Sequence, residues 1–313
     1  MSRARLLPIA IGLVAALASA AGCSDSKSSP TSPSSSASGS TADTSSKPIG
    51  PTPAEMRGSA PVRVAPRAPL ERQPKIALYV NDPWAMVLGS EIPSTVVYAD
   101  GSVVRAEPNP PRLVDGRLDG DVAGLAASLE ASLMNEPAQA SLTHATDQPT
   151  VSILLETPNG WILRSVYGLL PDGKASVTGK FAQGEPSERF VSALGSLRAL
   201  QLKDPHVYTP AKVEVMLWGY EHSPETPAPW PATIPAPDKP VPPAQGVLRH
   251  FIDGKHLAEL DNFRASLGQK QAVSLAGHKW SIDRRILVPD DQHLADVRTA
   301  TWRAYAEATQ KQQ

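Results

Sequence analysis

Apolar residues recur along this chain in two rhythms. Val122, Leu125, Leu129 and Leu133 fall three and four apart, which predicts a helix over about Asp119–Met134, with an aspartate at its start and Pro137 beyond its end. A second helix opens at Pro186 and runs to about Leu200, with Phe190, Leu194 and Leu197 on one face. Between them lie β-rich runs. STVVYADGSVVRAE reads as a hairpin in which Val97 and Val103 flank Ala99-Asp100-Gly101-Ser102, and Asp-Gly suits the positive-φ positions of a type I′ turn. TVSILLETPNGWILRSVYG reads as another, closing at Pro158-Asn159-Gly160, and AKVEVMLWGY supplies a further strand.

The C-terminal part has its own pattern. VLRHFI reads as a strand, Asp253 caps a helix using Leu257, Leu260, Phe263 and Leu267, and QAVSLAGHKWSIDRRILV reads as two strands joined at Ala276-Gly277. Asp290 and Asp291 open a last helix through Leu294, Val297, Thr301 and Ala304, with acids at its positive dipole end. Hairpins and intervening helices without βαβ crossovers predict an α+β fold: a mainly antiparallel sheet with helices on one face. The expected layout is a ββα-ββα-β core over 75–223, a Pro-rich crossover over 224–246 and a βαββα part over 247–313, in the same or a second domain. Nine prolines fall between Pro224 and Pro243, which predicts a stiff, polyproline-II-like crossover.

The first 22 residues carry a different signal. Arg3 and Arg5 precede an apolar run from Leu6 to Leu17, and Ser19-Ala20-Ala21-Gly22 follows, the layout of a secretory signal peptide. The uncharged stretch is shorter than the ~20 strongly apolar residues that span a bilayer. Ala18-Ser19-Ala20 fits ordinary cleavage, whereas Ala20-Ala21-Gly22-Cys23 resembles a bacterial lipobox with Ala20 where leucine is usual. Cys23 is the only cysteine of 313 residues, so in an oxidising compartment it has no intramolecular partner, and acylation gives it a role. From Ser24 to Ser46 there are twelve serines, three threonines and two prolines without a large apolar residue, which predicts a disordered tether over 23–74. As a flexible coil it would reach about 40 Å.

Composition narrows the classes further. A formal charge of −1, and no basic block interleaved with aromatics, argues against nucleic-acid binding. There is no GxSxG elbow, no GxxxxGK[ST] or GxGxxG loop and no HExxH, and the one SxxK match, Ser24 to Lys27, falls in the tether. Asp119, Asp121, Gly124 and Glu130 occupy positions 1, 3, 6 and 12 of a calcium-loop template, but Ala123 offers no oxygen at position 5 and the helical periodicity would splay these groups. His250 and His256 straddle a strand-to-helix turn and read as ordinary polar residues. No catalytic, cofactor-binding or metal residue is assigned, and no cofactor is expected. Trp161, Trp218 and Trp280 are expected in the core and Trp302 at the edge of an apolar stripe, with Trp84 and Trp230 beside prolines in loops.

Several short stretches carry a resemblance: YADGSVV, TDQPT, VYGL, the tyrosine-x-proline of Tyr208 and Pro210, Trp230-Pro231 and RRILVPDD. Over about residues 90–290 the chain resembles a set of uncharacterised secreted proteins and lipoproteins from high-GC bacteria. That set has no established activity, so the resemblance implies an envelope location and transfers no catalytic residue. The expected function is a lipid-anchored, extracytoplasmic envelope protein, a non-enzymatic binding or scaffolding module attached to a membrane through Cys23, with an envelope protein as candidate partner. Ser24 after the cysteine points to the outer membrane if the host is Gram-negative. An alternative is an envelope hydrolase, for instance through Asp147, His144 and Glu156. A solute-binding lipoprotein, which needs two α/β lobes with parallel sheets, fits the hairpins less well.

Overall fold

The computed structural model describes residues 60–81, 83, 91–108, 111–243 and 246–311. The signal segment, Cys23, most of the expected tether and Trp84 lie outside the described residues. No helix among the described residues is long and apolar enough to cross a membrane.

Among the described residues the first elements are strands β1 (Pro74–Asn81), β2 (Thr95–Tyr98), β3 (Ser102–Pro108) and β4 (Pro111–Leu118), followed by helix α1 (Val122–Leu133). Next come β5 (Gln139–Ser141), β6 (Thr150–Thr157), β7 (Gly160–Tyr167), α2 (Glu188–Arg198) and β8 (Leu202–Val207). These strands form one sheet in the order β5-β7-β6-β1-β2-β3-β4-β8, antiparallel except at β5–β7. A second sheet is built from β9 (Lys212–Gly219), β10 (Ala228–Pro229), β11 (Leu248–Asp253), β12 (Val273–Leu275) and β13 (His278–Ile286), with α3 (Leu257–Ser266) between β11 and β12. Its order is β10-β12-β13-β9-β11, parallel only at β10–β12, and α4 (Asp291–Gln310) is the last of the described elements. The fold is α+β with mostly antiparallel sheets.

Helices cover both faces of the large sheet, not one. On one face α1 and α2 place Leu129, Leu133, Phe190, Leu194 and Leu197 against Ile76, Leu78, Ile153 and Leu155. On the other, Leu294 and Val297 of α4 meet Ala77, Tyr79, Val96, Leu154 and Leu163. Alternate residues of a strand point to opposite faces, so covering both faces makes each strand apolar throughout. In β1 this is why Ile76 to Tyr79 are all buried. The small sheet buries one face, where Val213, Val215, Leu217, Ile252 and Trp280 pack with Leu260 of α3.

The layers do not follow the expected divisions at 223/224 and 246/247. The chain leaves the large sheet after Val207 and enters the small one at Lys212, so β9, placed with the first core by the hairpin count, is a central strand of the second sheet. Helix α4 then returns to the large sheet, so 247–313 is shared between layers. The Pro-rich crossover is pinned: the amides of Ala228 and Trp230 donate to Ala272 and Ser274 carbonyls, and Ile234 is buried beside the Trp230 ring. The Trp230 indole N–H donates to the Ile234 carbonyl at 2.8 Å.

The last part of the expected tether is also folded onto the molecule. Val62 exchanges backbone hydrogen bonds with Trp161, Val64 packs against the α4-side core, and Arg67 pairs with Asp296 at 2.6 Å. The amides of Glu71 and Arg72 both donate to the Asp290 carboxylate, at 2.8 and 2.7 Å. The ordered body therefore starts by Ala60, ahead of the expected Lys75. Two turns also differ from expectation. At Ala99-Asp100-Gly101 only Gly101 has positive φ and its amide donates to the Tyr98 carbonyl, the three-residue loop of a type I turn followed by a left-handed residue. At Pro158-Asn159 the proline ring forbids the positive φ of a primed turn, and Gly160 alone takes φ +131. The primed turn occurs instead at Ala276-Gly277, with φ 52 and 81.

Candidate functional site

Where the two sheets meet, at Tyr208–Ala211, a cleft of about 970 Å³ opens. Its floor comes from the face of the small sheet that α3 does not cover. Glu214 of β9 stands between Phe251 of β11 and Arg285 of β13 in the strand register, so the three side chains share that face. The opposite wall comes from Arg72, Asp115 and the Leu287–Gln292 turn into α4.

The floor is ionic and buried. Glu214 is 1% exposed and accepts from Arg249 at 2.6 Å and from Arg285 at 3.1 Å. Arg285 also reaches Asp291 at 2.7 Å, so one guanidinium bridges two carboxylates. Burial pushes the Asp291 carboxyl above its ordinary range, against the pull of Arg285, and Glu214 adds to the rise. Both carboxylates hold Arg285 above its already high value despite burial. Arg72 forms a two-bond fork with Asp115, at 3.2 and 3.1 Å, and lies over the Tyr98 ring at 5.6 Å. Five carboxylates and four strongly basic side chains line the cleft, so it is close to neutral and not a trap for one sign of charge.

Two tyrosines fix the wall. The hydroxyl of Tyr98 donates to the Pro289 carbonyl at 3.1 Å, and that of Tyr208 to the Leu287 carbonyl at 2.9 Å. Burial pushes both phenols up, so both stay protonated as donors. Three of the short stretches singled out in the sequence, YADGSVV, Tyr208-x-Pro210 and RRILVPDD, thus meet at one joint. TDQPT and VYGL meet at another, where the Tyr167 hydroxyl donates to the Ala145 carbonyl and accepts from the Gln148 amide. In each case a tyrosine staples a loop by its carbonyls.

The expected candidates are not brought together. His144 is bonded to Gln183, Asp147 sits in a loop at φ 56, and Glu156 pairs with Lys75 at 2.5 Å near the far end of β6. Asp147 precedes β6 by three residues, and six residues of strand, roughly 20 Å, separate Thr150 from Glu156, so no acid–base trio forms from them. Asp121 caps α1 through the amides of Ala123 and Gly124, while Asp119 faces Lys203. His250 meets the Pro235 carbonyl and His256 lies 3.7 Å from Glu259. Trp161 and Trp280 are buried in strands, and Trp302 packs at the α4 side. Cys23 lies outside the described residues.

No sequence motif marks the residues that make the cleft. A weaker signal is present: Lys212 and Glu214 alternate with Val213 and Val215, and the Arg284-Arg285 and Asp290-Asp291 doublets bracket an apolar run. Only strand pairing shows that Glu214 and Arg285 are neighbours. Comparison of the chain with protein-family models, curated proteins and solved structures finds no match.

Proposed function

We propose that this chain is a lipid-anchored, extracytoplasmic protein of the bacterial envelope whose folded part is a non-enzymatic binding or scaffolding module. The observation that carries the anchoring is the basic start, apolar run and Ala20-Ala21-Gly22 immediately before Cys23, the only thiol of the chain. Two acyl chains give stable attachment where one gives marginal binding, and a lipobox cysteine with a diacylglycerol supplies both. The cleft supports the binding role. Glu214, Arg285 and Asp291 of its floor are paired with one another, while Val207 and Phe251 at its edge are 57% and 53% exposed and available for contact.

The test of anchoring is the intact mass of the mature N-terminus from the native host. The expected product begins at an acylated Cys23, and Cys23→Ser should shift the protein out of the membrane fraction or leave an uncleaved precursor. A mature chain beginning at Ala21 with a free thiol overturns the anchor. For the binding role, a photo-crosslinker at Val207 in the host should give one discrete adduct, and a diffuse ladder or none counts against it.

A further inference from the structure

Each sheet has two outer strands, and an outer strand offers unpaired backbone groups to any other strand. Three of the four are blunted. β5 has three residues, and β10 has two and ends in Pro229. β8 carries Pro205, which has no amide, beside Asp204 at φ 49, and its register with β4 slips between Asp115 and Arg117. The stretch of β13 beyond β12 is also closed, because the Asp283 carboxylate accepts the Arg284 amide at 2.7 Å and pairs with Arg264 of α3.

β11 is the exception. Its six residues contain no proline and run in unbroken register with β9 from Leu248↔Leu217 to Asp253↔Lys212. Among the described residues no backbone group bonds to the outer edge of Leu248–Ile252. Ile252 packs inward, whereas Arg249, Phe251 and Asp253 project from the other face and are exposed. Phe251 is 53% exposed, an apolar ring on an open edge.

We propose that β11 pairs antiparallel with β11 of a second copy, about a two-fold axis through Phe251, joining the small sheets of two molecules. The sequence Arg249-His250-Phe251-Ile252-Asp253 is self-complementary about its centre. In this register the two Phe251 rings lie opposite each other, and Arg249 of each copy faces Asp253 of the other. Directly opposed residues of like size and unlike charge are the stabilising units of a sheet. Arg249 uses one nitrogen on Glu214 and keeps its other N–H groups for a second carboxylate. Shifting the axis to His250 or Ile252 takes Asp253 away from Arg249 and parts the rings. The competing Lys255–Asp253 contact is 3.7 Å long with both side chains exposed, so it opposes little. One pair of edge strands buries less than the roughly 1,200 Å² of a stable complex, so the association is weak in dilute solution and grows where copies are crowded.

The test uses the full chain carrying Cys23→Ser, so that an added thiol stands alone. On the two-fold axis the Cα atoms of position 251 would lie about 4.5–5.5 Å apart, within disulfide range. Phe251→Cys should therefore form an oxidised dimer at least about tenfold faster than Val241→Cys, an exposed site outside β11. Asp253→Cys alone should show no such gain, since four residues of offset separate its two copies by roughly 13 Å. With no added thiol, apparent mass in sedimentation should rise with concentration, and Phe251→Lys should remove that rise. Cross-linking at Phe251→Cys no faster than at Val241→Cys overturns the proposal. So does equal cross-linking at Phe251→Cys and Asp253→Cys, which marks random collision. A concentration-independent monomer mass that instead shifts on adding a short extended peptide would reassign the edge to a peptide partner and equally overturn self-pairing.

Discussion

The large sheet is covered by helices on both faces, the small sheet on one, and their strands are composed accordingly. In β1 the alternating sets Ile76/Leu78 and Ala77/Tyr79 each enter a core. In β9 the set Val213/Val215/Leu217 enters a core while Lys212 and Glu214 face the cleft. The large sheet is held by apolar area, at roughly 25 cal/mol per Å² buried. The small sheet spends its second face on a charge network, in which burial of Glu214 is tolerable only while both guanidiniums remain in place. Packing of this kind makes the first sheet a platform and the second a surface with something left to present.

The contrast can be broken most severely at the joint between the sheets. A Cβ on Gly254 would lie 1.7 Å from the Pro210 carbonyl oxygen, so Gly254→Val should cost more than about 4 kcal/mol in chemical denaturation, the range of diagnostic disruptions. A small effect would mean that the joint is loose. Next comes the ionic floor: Glu214→Ala leaves Arg249 without its partner and Arg285 with one, and should cost about 3–4 kcal/mol by the same measurement. Should it prove neutral, the network contributes shape and not stability. On the large sheet, Gly160 holds φ +131 and an added Cβ would come 2.8 Å from the Val62 carbonyl oxygen. Gly160→Val should therefore cost about 1–3 kcal/mol and expose residues 60–73 to proteolysis before the body. The smallest effect is in pH. Because the folded Asp291 carboxyl is raised, its contribution to stability is full below its ordinary pKa of 3.8 and is lost as pH rises through the folded value. The stability of the native chain relative to Asp291→Asn should thus fall as pH rises above the ordinary value of 3.8; a difference that is flat or rises with pH would contradict the direction of this shift.

The same contrast explains what was legible in the sequence. Period-2 alternation is a signal of one covered face, and β9, β11, β12 and β13 were all readable from it or from their turn. KIALYV lacks alternation because both its faces are covered, and without a turn signal nothing marked it as the strand between β2 and β6. β4 interrupts its apolar residues with Asp115-Gly116, and β8 is exposed and carries Pro205, so neither reads as a strand by itself. Helices α1, α2 and α4 were legible because their stripes face single cores. The cleft was not: its groups come from positions 72, 115, 214, 249, 285 and 291, and their proximity is a property of strand order and of α4 crossing back. No local spacing encodes that.

The docked segment from Val62 to Arg72 has a mechanical consequence. Tension arriving through the N-terminal chain does not act first on β1. It meets the Val62–Trp161 bridge, then the Arg67–Asp296 contact, then the Asp290 carboxylate holding two amides, each small and each able to part before the next is loaded. Behind them lies β1, bonded on both sides to β6 and β2, where a lengthwise pull must shear two rows of hydrogen bonds together. Under such a pull the segment would be a fuse in series with a shear joint, giving up its own length before β1 is loaded.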